Sequence, residues 1–357
     1  DQYYVEHPDD LFGRPHEAAL VNVSNPHVLR PHLGCAAYEL PLTEKDAGMF
    51  GPRTSQVVGE MLADGELRER RDRHWWASTR PPAPDVNIRS AGGRPFRIVE
   101  RETGRLVGSA DTARAYQELH PGAIYLHQGE TYRVVDLVIE DRVALVGRAP
   151  RNEYTQAGVD HDLVVLSEDA SSVIGPAGLH VGLVEVTDRV TGYQRKRLPD
   201  HMVIEQHDLD LPPQTLVTRA VWYTIDEGLL HGALEPLGVD LELVLGSLHA
   251  AEHASIGILP VFAMCDRWDI GGLSTPLHPD TDMPTWFIYD GHPMGAGICD
   301  HAFEVAFEHL SATRDRVAAC PCEAGCPSCV QSPKCGNFNE YLHKQGALAV
   351  LRLLTGG

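Results

Sequence analysis

The sequence predicts an α+β chain of several domains: a winged helix, a small β-barrel-like module and an α/β domain carrying a cysteine cluster. Three observations carry that expectation. Apolar residues recur at helical spacing over residues 25–62 and lead into a short basic strand; β-rich runs bounded by turn residues fill residues 96–146; and five of the eight cysteines crowd into residues 320–335, between two helical stretches. A chain of 357 residues exceeds a single core, and its 43% apolar content suffices for more than one. The divisions expected are 1–80, 81–165 and 166–357.

In the first division, Asn25-Pro26 offers an N-cap followed by proline at the first helical position, and Leu29, Leu33, Ala36, Ala37 and Leu40 then form one apolar stripe. Thr43-Glu-Lys-Asp46 has the form of a capping box, and Val57, Val58, Met61 and Leu62 mark a further helix that stops at Asp64-Gly65. Three helices, a glycine turn and a basic strand ending in Trp75-Trp76 follow the order of a winged helix. Pro81-Pro-Ala-Pro84 is a stiff linker. Short strands are expected over 96–100, 123–127, 132–138 and 143–146, interrupted by one helix over 111–119, which makes a small sheet or barrel. Beyond Leu163 strands resume over 179–190, 192–198 and 215–224, followed by helices over 247–264, around Phe303 to Val317, and around Ala347 to Leu354.

Cys326 and Cys329 form a C-x2-C pair; Cys322 lies four residues before it and Cys335 six after, so four thiolates can reach a tetrahedral zinc at about 2.3 Å. Cys320 is a fifth sulfur that can replace Cys335, and sequence leaves the choice open. Four thiolates leave no position for water or substrate, so the expected zinc is structural. Cys35, Cys265 and Cys299 are isolated, as in a reducing compartment where thiols need not pair. The chain has no run of about 18 apolar residues and no signal peptide, and the expected location is cytoplasmic, without membrane contact. It opens at Asp1-Gln-Tyr-Tyr without an initiator methionine and reads as part of a longer protein.

Thirty basic against fifty acidic residues give a net charge of −20, which repels polyanions at long range. Nucleic-acid contact must therefore be local. Two basic runs offer it: Arg68, Arg70, Arg71 and Arg73 with Trp75 or Trp76 as a base-stacking platform, and Arg195, Lys196 and Arg197 beside Tyr193. Solvated strands are the alternative reading of both.

His249-Ala-Ala-Glu252-His253 matches H-x-x-E-H, in which two histidines one helical turn apart hold zinc and the glutamate activates water. Its helix is nearly continuous core, where a packed polar interface is the competing reading. The glycine-bearing loops at 265–272 and 290–297 follow apolar segments, yet the chain has no G-x-x-x-x-G-K-[ST] and no G-x-G-x-x-G with a distant acid, so neither a P-loop nor a dinucleotide fold is supported.

Asp1-Gln-Tyr-Tyr, Leu11-Phe-Gly-Arg, Asn25-Pro-His-Val-Leu, Leu119-His-Pro-Gly-Ala-Ile-Tyr, Cys265-Asp-Arg-Trp-Asp-Ile-Gly-Gly and the cysteine stretch together resemble the C-terminal half of the MrfA/YprA/SftH-type superfamily 2 DNA helicases. The last portion is similar to their zinc-binding MZB domain, whose signature is the cysteine cluster with Asp266, Arg267 and the Asp290 glycine loop; Met294 departs from it, standing where the family has another glycine. The resemblance implies DNA-dependent ATP hydrolysis, 3′-to-5′ translocation and unwinding in DNA repair. ATP and Mg²⁺ would belong to two RecA-like motor domains that these residues do not include.

The expectation is thus a non-catalytic, DNA-engaging accessory region with structural zinc, monomeric, binding single-stranded DNA weakly in isolation and working against motor domains of the same polypeptide. The rivals are a zinc-dependent protein-interaction module and a metallopeptidase built on His249, Glu252 and His253.

Overall fold

In the computed structural model, residues 8–13, 20–86, 95–149, 151–265 and 267–356 are described. After a short helix α1 (Pro8–Gly13), α2 (Pro26–Glu39) starts where the sequence places it. Asn25 has extended backbone, and its side chain accepts the His27 N–H at 2.9 Å. The Asp46 carboxylate accepts the Thr43 N–H at 2.6 Å ahead of α3 (Ala47–Phe50), and α4 (Thr54–Ala63) follows. Leu29, Leu33 and Ala37 of α2 pack against Val57, Val58 and Met61 of α4. Leu40, expected on that stripe, is exposed because the chain turns extended there and leaves the helix.

β1 (Leu67–Glu69) and β2 (His74–Trp76) close the unit as an antiparallel wing. The register sets Leu67 opposite Trp76 and Arg68 opposite Trp75. Because successive side chains alternate between faces, this puts one pair on the core side and the other outward.

The second unit is a curled five-stranded sheet in the order β4-β3-β7-β6-β5, formed by β3 (Phe96–Glu100), β4 (Leu106–Ala110), β5 (Ile124–His127), β6 (Glu130–Val138) and β7 (Val143–Arg148). All its pairings are antiparallel except β3 with β7. Helix α5 (Thr112–Glu118), capped by Asp111, covers Phe96, Ile98 and Val134 with Tyr116.

A long hairpin follows, β8 (Glu153–Ile174) and β9 (Ala177–Arg197), reversed at Gly175 with φ +56°. The boundary expected at 165/166 therefore falls inside β8. Its polar run Asp160-His161-Asp162 looks like a break, but it lies on the partly exposed outer strand, where polar residues alternate without interrupting the ladder. Val190 of β9 also completes the core of the second unit, so the two share a strand pair.

β10 (Val203–Asp208), β11 (Gln214–Thr224), β12 (Ile270–Thr275) and β13 (Thr285–Asp290) extend the sheet as β10-β9-β11-β13-β12, all antiparallel. Helices α6 (Glu227–Leu234), α7 (Leu241–Ile258), α8 (Ile298–Glu304), α9 (Ala306–Ala319) and α10 (Lys344–Thr355) cover it. Helix α7 is buried over most of its length, against α10 and β12. A Cβ on Gly346 of α10 would lie 1.8 Å from Ser247 Oγ of α7, so the close crossing there requires glycine. Among the described residues no helix is long and apolar enough to cross a membrane.

Candidate metal centre and nucleic-acid interface

Helix α9 ends at Cys320, whose extended backbone turns the chain into the cysteine loop. The sulfurs of Cys320, Cys322, Cys326 and Cys329 converge: Cys320 lies 3.5 Å from Cys322 and 3.6 Å from Cys326, and Cys329 lies 3.5 Å from Cys322 and 3.9 Å from Cys326. Two sulfurs on a tetrahedral zinc, each at about 2.3 Å, sit about 3.8 Å apart. The donor set fits that ion in type, number and spacing.

The loop is shaped for it. The Cys326 N–H points at the Cys329 sulfur at 3.3 Å, and the Cys326 carbonyl accepts the N–H groups of Cys329 and Val330. Gly325 holds φ +116° in the preceding turn. Hydrogen bonding from the Cys322 backbone holds the Cys320 thiol down, to about 7, while burial pushes Cys329 up to about 12. Zinc binds sulfur as thiolate, so its binding to such a set releases protons.

Lys344, at the start of α10 and 5% exposed, donates its ammonium to the Cys320 and Cys322 carbonyls, at 2.7 Å for the first. It ties the start of α10 to the cysteine loop through two backbone carbonyls. Sequence reading missed it, since nothing in a lysine at a helix start signals its neighbours.

Of the two cysteines between which the sequence left the choice open, Cys320 lies among these sulfurs and Cys335 lies elsewhere. The Asn339 side chain accepts the Ser332 N–H at 2.7 Å and donates to the Ser332 carbonyl at 2.8 Å, folding residues 332–339 into a separate loop. That loop carries Cys335 to α7, where its sulfur lies 3.6 Å from His249 Nε2.

The H-x-x-E-H helix is divided in use. His249 and His253 meet Cys335, all three ligand atoms lying within 4.8 Å of one another. Glu252 accepts the Ser274 hydroxyl of β12 at 2.6 Å, and burial pushes its carboxyl up to about 7. The hydroxyl of Ser274 thus ties this carboxyl to β12, on the sheet side of the helix.

The Asp290 glycine loop joins the units. Asn25 donates to the carbonyls of Pro293 at 2.8 Å and Gly295 at 2.7 Å, and the Asn22 N–H donates to Ala296 at 2.7 Å. Arg219 pairs with Asp169 and with Asp300 beneath the loop. Asp266 of the resemblance lies outside the described residues.

The two basic runs differ. On the wing, Arg70 and Arg73 exchange backbone hydrogen bonds around Arg71 and Asp72, both at positive φ (56° and 58°), as in the two-residue turns of tight hairpins. Arg68, Arg70, Arg71 and Arg73 make no ion pair among the described residues. Trp75 is 45% exposed, whereas Trp76 packs its ring on Gly34 and donates its indole N–H to the Arg80 carbonyl. Arg195, by contrast, pairs with Glu153 and Glu205; Lys196 donates to Gln156 and lies 4.7 Å over the Phe338 ring; and Arg197 pairs with Asp200. All three cations of the second run have internal partners.

Two family models match the chain: the MrfA Zn-binding domain over residues 251–330, and the winged helix domain of ATP-dependent helicase HRQ1 over residues 21–91. Over 336 residues the chain is 33% identical to the uncharacterized ATP-dependent helicase YprA of Bacillus subtilis, covering 92% of this chain and 43% of that protein. It is 27% identical over 385 residues to ATP-dependent helicase HRQ1 of Saccharomyces cerevisiae, covering 100% of this chain and 34% of that protein. The chain thus spans less than half the length of these relatives. Among solved structures it is similar to the DUF1998 helicase MrfA bound to DNA, with TM-score 0.53 and 31% identity over 99% of this chain and 46% of that one. The likeness to a further crystal structure of DUF1998 helicase MrfA has TM-score 0.59 at 29% identity, over 95% of this chain and 46% of that one.

Proposed function

We propose, taking this chain as a C-terminal region of an MrfA/YprA-type helicase, that it is the non-catalytic, DNA-engaging part of an ATP-dependent 3′-to-5′ DNA helicase acting in DNA repair. Zinc on Cys320, Cys322, Cys326 and Cys329 stabilises it, and ATP with Mg²⁺ is the business of motor domains in the same polypeptide. The observation that carries the reading is the wing. On a chain of net charge −20, the wing displays four arginines that make no ion pair among the described residues, beside an exposed Trp75.

Such a surface suits a single strand, with phosphates on the guanidinium groups and a base on the indole. It supports the first basic run as the DNA contact. Arg195, Lys196 and Arg197 would have to give up internal partners to bind phosphate, and the proposal leaves them as structural cations.

The role of zinc follows from where its ligands sit. Cys320 ends α9, and Lys344 ties the same loop to α10, so one ion fixes the angle between two helices that cover the sheet. When bound, zinc supplies cross-linking and no reaction, because four thiolates fill its coordination shell.

Fluorescence anisotropy of a labelled oligonucleotide tests the reading. The expected result is weak, sequence-tolerant binding that prefers a single strand over duplex and weakens with salt. Binding that is absent even at low salt would make this region a protein-interaction module instead.

A further inference from the structure

We propose that His249, His253 and Cys335 form a second zinc site, separate from the four-cysteine centre, with three ligands among the described residues and a fourth position that these leave open. The site uses the two histidines of the H-x-x-E-H pattern, together with the cysteine left over from the cluster.

The geometry comes from two elements. Helix α7 puts His249 and His253 on one face, one turn apart, with ring centroids 4.2 Å from each other. The 332–339 loop brings in Cys335, and its sulfur stands 3.6 Å from His249 Nε2. On a tetrahedral zinc with Zn–N about 2.05 Å and Zn–S about 2.3 Å, nitrogen and sulfur are about 3.6 Å apart. The observed separation is thus that of two ligands on one ion, reached with all three donor atoms inside 4.8 Å.

The surroundings are those of a metal site. His253 Nδ1 donates to the Val330 carbonyl at 2.9 Å, which fixes the ring tautomer and leaves Nε2 as the lone-pair end. A backbone carbonyl in that place is the usual outer partner of a ligating histidine. The Asn339 N–H points at the Cys335 sulfur at 3.2 Å, as amides do toward metal thiolates. The thiol proton is accepted by Asn337 Oδ1, and zinc would displace that proton to solvent as the sulfur becomes its ligand. His253 and Cys335 are buried and His249 is partly buried, so the open position faces a restricted space.

Two nitrogens and one thiolate suit zinc among common divalent ions, and three protein ligands leave room for a water. With two ligands on α7 and one on the 332–339 loop, the ion would join these elements, and Glu252 between the two histidines is hydrogen-bonded to Ser274.

The test counts metal in the full 357-residue chain. After zinc loading and desalting, elemental analysis should give two equivalents per chain, and a mild chelator should remove one of them first. His249→Gln and Cys335→Ser should each lower the count to one, and that remaining equivalent also reports that the four-cysteine centre is still folded. If either variant loses both, the unsubstituted chain decides: with one zinc retained, added Co²⁺ should develop thiolate charge-transfer and tetrahedral ligand-field bands at one equivalent. A single equivalent in the unsubstituted chain with no Co²⁺ uptake, or two equivalents that neither substitution reduces, overturns the proposal. Loss of DNA binding with two metals retained would sink the functional reading and leave this one standing.

Discussion

The carbonyl oxygen of Val330, the residue after the last of the four converging cysteines, accepts a hydrogen bond from His253 Nδ1 of α7 at 2.9 Å. The cysteine loop is thereby fastened to α7, a helix buried over most of its length, as well as to α9 through Cys320 and α10 through Lys344. Loss of the four-cysteine metal should accordingly be felt through the whole helical layer.

Cys326→Ser is expected to abolish the tightly held zinc and lower the melting temperature of the C-terminal domain. With free zinc about 1,000-fold above its dissociation constant, binding stabilises the fold by about 4 kcal/mol. For a domain of some 150–250 residues that corresponds to roughly 8–16 °C. Calorimetry with and without a strong chelator checks it: the chelated chain should melt like the variant, and unchanged melting after verified metal removal would refute the structural role.

Asn25 caps α2 and donates to the Pro293 and Gly295 carbonyls. Asn25→Ala removes the cap, worth about 1 kcal/mol, and strips two carbonyl partners. The expected loss is about 2–3 kcal/mol. Limited proteolysis should release the winged helix faster than in the unsubstituted chain. A variant that cuts no faster would mean that the Asn22–Ala296 contact alone holds the junction.

Asp290 is fully buried, and burial pushes its carboxyl up to about 7. Its unfolded value is about 3.9, so between these values the folded state binds more protons than the unfolded one. Its contribution to stability is complete below about pH 4, declines as pH rises, and levels off above about pH 7. Asp290→Asn has no proton to lose. Relative to the unsubstituted chain, the variant should gain stability with rising pH by at most about 1.4 kcal/mol per unit, levelling near neutrality. Urea unfolding of both proteins across this range checks the difference; parallel pH profiles would show that Asp290 does not titrate there.

Much of the fold was legible because local signals and burial agree. The Asn25-Pro26 start, the Thr43–Asp46 capping box and the β-rich run at 96–100 reappear as elements with those bounds or nearly so. The long β8–β9 hairpin was not, since its outer strand is exposed over much of its length and carries charged residues in mid-strand. Spacing alone brought the cysteines together but could not choose Cys320 over Cys335, a choice made by the Ser332–Asn339 hydrogen bonds. The basic runs looked alike because a charge run does not name its partners: Glu153 and Glu205, which neutralise Arg195, arrive from neighbouring strands.

The wing separates charge from stacking in a single experiment. Arg71 sits at φ 56°, so Arg71→Gly removes its charge while favouring the turn, and Arg73→Gln removes a second. Each phosphate released from contact should reduce the salt slope of single-strand binding by roughly 0.7, or about 1.4 for the pair. Acidic residues elsewhere on the chain are screened beyond about 8 Å at physiological salt, so they slow encounter more than they weaken a formed contact. Trp75→Ala should cost about 1–3 kcal/mol of affinity with the slope unchanged, because stacking releases no counterions. Trp76→Ala should instead destabilise the winged helix, since that ring packs on Gly34 inside it. Anisotropy titrations at several salt concentrations read slope and affinity together. Equal slopes for all variants, or a Trp75→Ala change that grows with salt dependence, would remove the wing from the DNA path.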